Sequence, residues 1–426
     1  MRFWGDRLEQ YSWRAQERDL NDRFPQFRTA VKIKDSTTPL RVHFLHIRSE
    51  DRGAVPLLLV PTFPLTNLSL GRVVEGLRDG EGEGQKFHIV VPSIPGLGFS
   101  DAFSESDGGV LERTAEVFDI LMQRLGYEYY IASATGSGVD SPAGIDYHLA
   151  RLVGEKFPER CLGVHLLGPL VQRPTYKEPW VWVRYGIARF FHAGIWGYVG
   201  EDWVALRESE RLEREGKKRK VEGKPRSERR FGSGYGAVGI LGLREPNTLA
   251  YGLCDSPVGL LSLVCSALRR MSPDHKLSST EIIDFTQLAW LPGPEAGMRF
   301  WSESVSEVER MKKLKKSRVA VTVFGTDEEG YQCPAWSDSN HDVIFSQRLS
   351  GKAGLVAWER ANVVVAGIRG LAKELERIDG RLKAKSLEEV VIDETIHEVD
   401  EEASMSDHGM QLDVESPDTV VAVEMS

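Results

Sequence analysis

Chemistry in this chain is first sought at Tyr129-Tyr130-Ile131-Ala132-Ser133-Ala134-Thr135-Gly136-Ser137-Gly138, a strand-like run ending in a small-residue turn. Doubly wound sheets bind their ligands where such carboxyl ends of strands open into turns. Ser137, between two glycines, offers a hydroxyl, yet the Gly-x-Ser-x-Gly elbow that exposes a serine nucleophile is not met; its other reading is a small residue that lets the turn pack closely. Asp140 is either a carboxylate nucleophile or an acidic charge at the start of the following helix, where the helix dipole favours it. His148 and His165 are solitary imidazoles, and core packing is their simplest reading.

These residues need a frame. Val42-His43-Phe44-Leu45-His46-Ile47 alternates like a half-exposed strand, while Pro56–Val60 and Phe87–Val91 are short apolar runs typical of strands buried on both faces. Glu112 to Leu125 carries apolar residues at helical spacing, and a helix passes through Tyr147–Ala150. Strands alternating with helices predict an α/β fold with a mostly parallel sheet. The rhythm stops from 171 to 310, returns at Arg318–Phe324, and ends in a helix over about 360–378. Residues 176–203 hold nine aromatics, expected to form lid core or to wall an apolar pocket. Residues 207–230 hold eleven Lys/Arg against six Asp/Glu, the pattern of a solvated helix face or an insertion.

The chain has 426 residues, 41% hydrophobic and 27% charged, as in globular proteins. Its net charge of −9 is concentrated at one end: 13 acidic residues and no Lys or Arg follow Lys385. With no strongly basic domain, nucleic-acid binding is not expected. Four cysteines without a C-x-x-C pair argue against a structural metal or a disulfide framework. The start lacks the apolar core of a signal peptide and no run of about 18 apolar residues occurs, so no integral membrane segment is expected and a cytoplasmic location is.

Several longer motifs carry a resemblance. Trp13-Arg14, Leu20-Asn21, Phe24-Pro25-Gln26-Phe27, Val91-Pro92-Ser93-Ile94-Pro95-Gly96-Leu97-Gly98-Phe99-Ser100, Leu125-Gly126-Tyr127, Pro246–Tyr251 and Asp255–Leu260 are similar to the microsomal-type epoxide hydrolases, over roughly residues 4–375. The resemblance implies the α/β-hydrolase fold: an N-terminal extension (1–50), a core in two parts (51–170 and 311–385) and an inserted helical lid (171–310), with the acidic tail (386–426) expected to be disordered. In that family an Asp in Gly-Gly-Asp-Trp-Gly attacks the epoxide, a His oriented by an acid activates water, and two lid tyrosines hold the epoxide oxygen beside a His-Gly-Trp-Pro turn.

Position by position, much of this machinery is substituted. Thr135 stands at the nucleophile, Gly354 at the base, Pro61-Thr62-Phe63-Pro64 at the turn, and Trp301 at the second lid tyrosine. Tyr235 and Asp327 match the first lid tyrosine and the orienting acid. Asp327 is either a structural hydrogen-bond acceptor or a working acid/base, and Tyr235 either a donor to substrate or a link between lid and core. His341, on the loop that carries Asp327, is either a relocated base or an ordinary loop residue. A threonine hydroxyl without a base does not open an epoxide. The expectation is a tailoring enzyme of secondary metabolism that cyclises a small lipophilic substrate without a cofactor, as in an intramolecular Diels–Alder reaction. Asp327 and Tyr235 would be catalytic, with Thr135, Trp301, Phe63, Ser137 and Gly354 around the substrate. An epoxide hydrolase with relocated residues and a non-catalytic binder are the alternatives.

Overall fold

The computed structural model describes residues 11–382 and 420–422, except 34–37, 52, 79–83, 105–108, 139–141, 170–172, 177, 193, 222–244, 273–276, 312–315, 326–330 and 340. In order come α1 (Trp13–Arg23), β1 (Gln26–Val31), β2 (Leu40–Ile47), β3 (Val55–Val60), α2 (Gly71–Arg78), β4 (Phe87–Pro92), α3 (Val110–Arg124), β5 (Tyr130–Ser137), α4 (Ile145–Lys156) and β6 (Cys161–Leu167). The inserted helices are α5 (Pro179–Phe191), α6 (Gly200–Val221), α7 (Pro246–Cys254), α8 (Pro257–Met271), α9 (Ser279–Trp290) and α10 (Glu295–Arg310). The sheet resumes with β7 (Arg318–Phe324) and β8 (Asp342–Leu349), followed by α11 (Ala361–Ile378) and a three-residue β9 (Val420–Ala422).

The nine strands form one sheet in the order β8-β7-β6-β5-β3-β4-β2-β1-β9. The six strands β8, β7, β6, β5, β3 and β4 are parallel, and β2, β1 and β9 extend one edge in antiparallel pairing. Two apolar layers fill the faces. Phe118 and Leu121 of α3 and Leu149 and Leu152 of α4 pack on one side, Val74 of α2 and Ile368 and Leu371 of α11 on the other. Three residues of the acidic tail, 420–422, pair with β1, so at these positions a strand stands where the composition suggested none. The remaining tail residues lie outside the described ones.

The lid is tied to the core at several points. Ser278 and Glu281 form a reciprocal capping box at the start of α9. Glu281 also accepts from Arg72 of α2, and Tyr11 donates to Asp284. Glu307 of α10 accepts the backbone N–H groups of Leu111 and Glu112 at 2.8 and 3.1 Å, so a lid carboxylate caps a core helix.

Five buried imidazoles make the core sensitive to acid. Desolvation lowers His43, His46, His148 and His341 to about 4 and His165 to about 3. His165 sits between Ser133 Oγ and Thr322 Oγ1 at 3.0 and 2.9 Å, a structural arrangement. All five lie below the ordinary value of about 6.5, so from pH 6.5 down to about 4 the unfolded chain binds more protons than the folded one. Their stabilisation is complete above pH 6.5 and is lost towards pH 4, each group contributing up to about 1.4 kcal/mol per pH unit. Burial raises Glu155, Asp284 and Glu307 and opposes the trend with fewer groups. The urea midpoint should hold from pH 8 to 7 and fall steadily below 6.5; a flat profile would contradict this reading.

Candidate active site

The carboxyl ends of β3, β4, β5 and β8 open on one edge of the sheet beneath α8, α9 and α10. Thr135 lies on this edge, but β5 continues as strand through Ser137, with an irregular register between Ser133 and Ser137. The first residue of α4, Ile145, follows Thr135 by ten positions. A nucleophile elbow needs a sharp strand-to-helix turn at the reacting residue, and Thr135 does not occupy one. Instead its fully buried hydroxyl donates to the Val60 carbonyl at 2.6 Å and lies 3.2 Å from Thr62 Oγ1.

The next residue removes a second requirement. The backbone N–H after the nucleophile normally stabilises an oxyanion, whereas Gly136 N–H donates to Asp146 Oδ2 at 2.8 Å. That carboxylate, fully buried near the start of α4, was not singled out by the sequence; an acid in a first helical turn is common and carries no sign of where it reaches. A Cβ on Gly136 would stand 2.5 Å from Asp146 Oδ2 and 2.8 Å from Thr62 Cγ2. Gly136→Ala should therefore cost about 1–3 kcal/mol by overpacking, measured by urea denaturation, and an unchanged midpoint would show that the contact yields freely.

Gly354 follows β8 with φ +66°, a conformation that favours glycine, and an added Cβ would come within 2.8 Å of Glu359 Oε2. The Glu359 carboxylate accepts from Leu355 N–H at 2.9 Å and fills the space a side chain at 354 would need. Ser137 is buried against Gly168, whose missing Cβ leaves room for the serine hydroxyl. His341 is placed far from these residues. It precedes β8 at the level where Asp342 pairs with Arg318, the amino end of the parallel strands, roughly 20 Å from the carboxyl edge at ~3.3 Å per residue. There its Nδ1 lies 4.0 Å from Glu155, so the relocated-base reading of His341 is overturned by the direction of β8. Asp327, Tyr235 and Asp140 lie outside the described residues.

Phe63 and Trp301 do come together. Both are buried, with ring centroids 6.1 Å apart, and the Phe300 ring also stands 6.1 Å from that of Phe63. They line an apolar cavity of about 100 Å³ between the 63–66 and 96–98 turns, Pro142, and the inner faces of α8, α9 and α10. Leu260, Val264, Phe285 and Met298 supply the cover. Among the described lining residues none has an ionisable side chain, and only Thr66 and Trp301 carry a side-chain N–H or O–H. Thr135, Ser137 and Gly354 are not among them. The aromatic run 176–203 divides differently from the expectation of lid core or pocket wall. Tyr185, Tyr198 and Trp203 are buried against Trp336 and Tyr331, while Tyr176, Trp180, Trp182, Phe190, Phe191 and Trp196 face outward. The described part of the basic run lies on α6, with Arg207 and Arg211 exposed.

A mostly parallel sheet broken after β6 by a helical lid defines an α/β-hydrolase fold. Residues 2–70 match the family model "Epoxide hydrolase N terminus". The chain is 28% identical over 381 residues to a putative epoxide hydrolase of Stigmatella aurantiaca, covering 86% of this chain and 73% of that protein. It is 26% identical to epoxide hydrolase 1 of Sus scrofa, covering 86% of this chain and 78% of that protein. The crystal structure of juvenile hormone epoxide hydrolase from the silkworm Bombyx mori shares the fold, with a TM-score of 0.63 and 20% identity over 85% of this chain and 82% of that one. These matches support the resemblance to the microsomal-type epoxide hydrolases read from the sequence. Among the described residues no group of His, Cys, Asp and Glu is placed to hold a metal ion, and no helix is long and apolar enough to cross a membrane.

Proposed function

We propose that this protein is a non-hydrolytic member of its family, a tailoring enzyme that holds a small lipophilic substrate in a fixed conformation and promotes its cyclisation, as in an intramolecular Diels–Alder reaction. The observation that carries this reading is the cavity under α8, α9 and α10: it is walled by hydrocarbon, without an ionisable side chain among its described lining residues. Such a wall supplies no proton transfer, but it excludes water and restricts a folded substrate to a near-attack conformer, which is sufficient help for a reaction that needs no nucleophile. Asp327 and Tyr235 remain the proposed hydrogen-bonding or proton-handling groups, and Phe63 and Trp301 the proposed aromatic walls. Thr135, Ser137 and Gly354 support the turns behind them. At about 100 Å³ the cavity is smaller than the ~300–1,000 Å³ of sites for drug-sized ligands, so a polyene enters only as the lid helices part.

The test is a gene deletion in the producing organism with mass spectrometry of the accumulated metabolite, followed by incubation of that metabolite with the purified protein. Faster and more stereoselective ring closure than in buffer supports the reading. Binding with no change in rate makes the protein a carrier, and conversion of an epoxide to a diol makes it a hydrolase; either result overturns cyclisation.

A further inference from the structure

Helix α5 carries apolar side chains on two faces, and the body of the protein covers one. Tyr185 and Ala188, with Val181 partly covered, turn inward at helical spacing. Trp180, Val183, Ile187, Phe190 and Phe191, at i, i+3, i+7, i+10 and i+11, form a second stripe that is 76, 40, 41, 79 and 70% exposed. Past the helix end Ile195, Trp196 and Val199, and on α6 Val204, are also exposed. Beside the stripe runs an open groove of about 330 Å³ whose walls include Trp180, Trp196 and Tyr198, with Arg184, Lys316 and Glu178 at its polar positions. The Arg184 guanidinium lies over the Trp196 ring at 5.4 Å. Contiguous apolar surface of this kind marks a docking site.

We propose that this face docks on an anionic phospholipid surface, with the aromatic stripe at the boundary of headgroups and acyl chains and Arg184 and Lys316 turned to lipid phosphates. Charge selects this occupant. Residues 179–200 contain Arg184 and Arg189 and no Asp or Glu, and Lys316 joins Arg184 at the groove, in a chain whose net charge is −9. A second copy docking through the same face would bring two cationic segments together. Tryptophan and phenylalanine beside cations suit the bilayer interface, where amphipathic rings sit at headgroup level and each Lys or Arg adds attraction to acidic lipid. The inference does not depend on what the cavity does.

The full chain should co-sediment with phosphatidylcholine vesicles in which phosphatidylserine makes up about a third of the lipid, and much less with phosphatidylcholine alone. The variant Trp180→Ser/Phe190→Ser/Phe191→Ser alters only exposed positions and should weaken binding at least about tenfold, and Arg184→Gln about fivefold, with wild-type binding falling as salt rises. Equal partition of wild type and both variants overturns the proposal. So does a dimer, seen by sedimentation velocity, that the triple variant dissociates. Protection of Trp180 and Phe190 from hydroxyl-radical labelling in the vesicle-free monomer overturns it too, since the stripe is then covered by this chain.

Discussion

Thr135→Asp combined with Gly354→His is expected to hydrolyse styrene oxide no faster than the wild-type chain, and the wild-type chain no faster than buffer. Restoring residue types does not restore geometry. An aspartate at 135 would sit in a continuing strand, in the place of a hydroxyl turned to Val60 O and Thr62, with the neighbouring Gly136 N–H already held by Asp146. A histidine at 354 would have to adopt φ +66°, costing about 1–2 kcal/mol in a left-handed conformation, with its Cβ 2.8 Å from Glu359 Oε2. Covalent catalysis that normally contributes to accelerations of about a millionfold or more is thus expected to fail at two independent points. The measurement is incorporation of oxygen-18 from labelled water into the diol, followed by mass spectrometry. Diol formed above the buffer rate by the wild-type chain, and abolished by Asp140→Asn, would show that a relocated carboxylate has taken over.

Asp202→Ala should be among the most destabilising single substitutions in the chain, by about 3–5 kcal/mol. The Asp202 carboxylate is fully buried near the start of α6 and accepts from Tyr331 Oη at 2.6 Å, Arg348 Nε at 2.8 Å, Arg348 Nη2 at 3.0 Å and Val199 N at 2.8 Å. It therefore joins the inserted helices to β8 and to the segment after β7. Its removal leaves a guanidinium whose side chain is 14% exposed without its carboxylate and strands the Tyr331 hydroxyl. The double variant Asp202→Leu/Arg348→Met removes both charges and should recover most of the loss, because the penalty comes from the uncompensated ion. Urea denaturation of the two variants decides the point; a loss under about 1 kcal/mol for Asp202→Ala would mean that water reaches the pair.

The parallel strands were legible because burial on both faces leaves a mark that needs no partner to read: Pro56–Val60, Phe87–Val91 and Arg318–Phe324 are predominantly apolar and become β3, β4 and β7. Glu112 to Leu125 was legible from its apolar periodicity and forms most of α3. The site was legible in part. Phe63 and Trp301, named from motif position, meet at the cavity, whereas Asp146, which occupies the Gly136 N–H, had no local signal. The boundary between strand and turn was not legible, since nothing in Gly136-Ser137-Gly138 distinguishes a closing strand from an opening turn; β5 continues through Ser137.

By itself the amino-acid sequence determined that this is an α/β protein with an inserted helical segment, a property of residue type and short-range periodicity, while its family resemblance implied threonine and glycine at the nucleophile and base positions. Only the tertiary structure decided that His341 falls on the opposite edge of the sheet from Thr135, that the Thr135 hydroxyl is spent on Val60, and that six of the nine aromatics between 176 and 203 face outward. Each depends on which distant segment lies across from a given side chain. Two apolar stripes on one helix have the same local pattern, and contact made far along the chain determines which of them is covered.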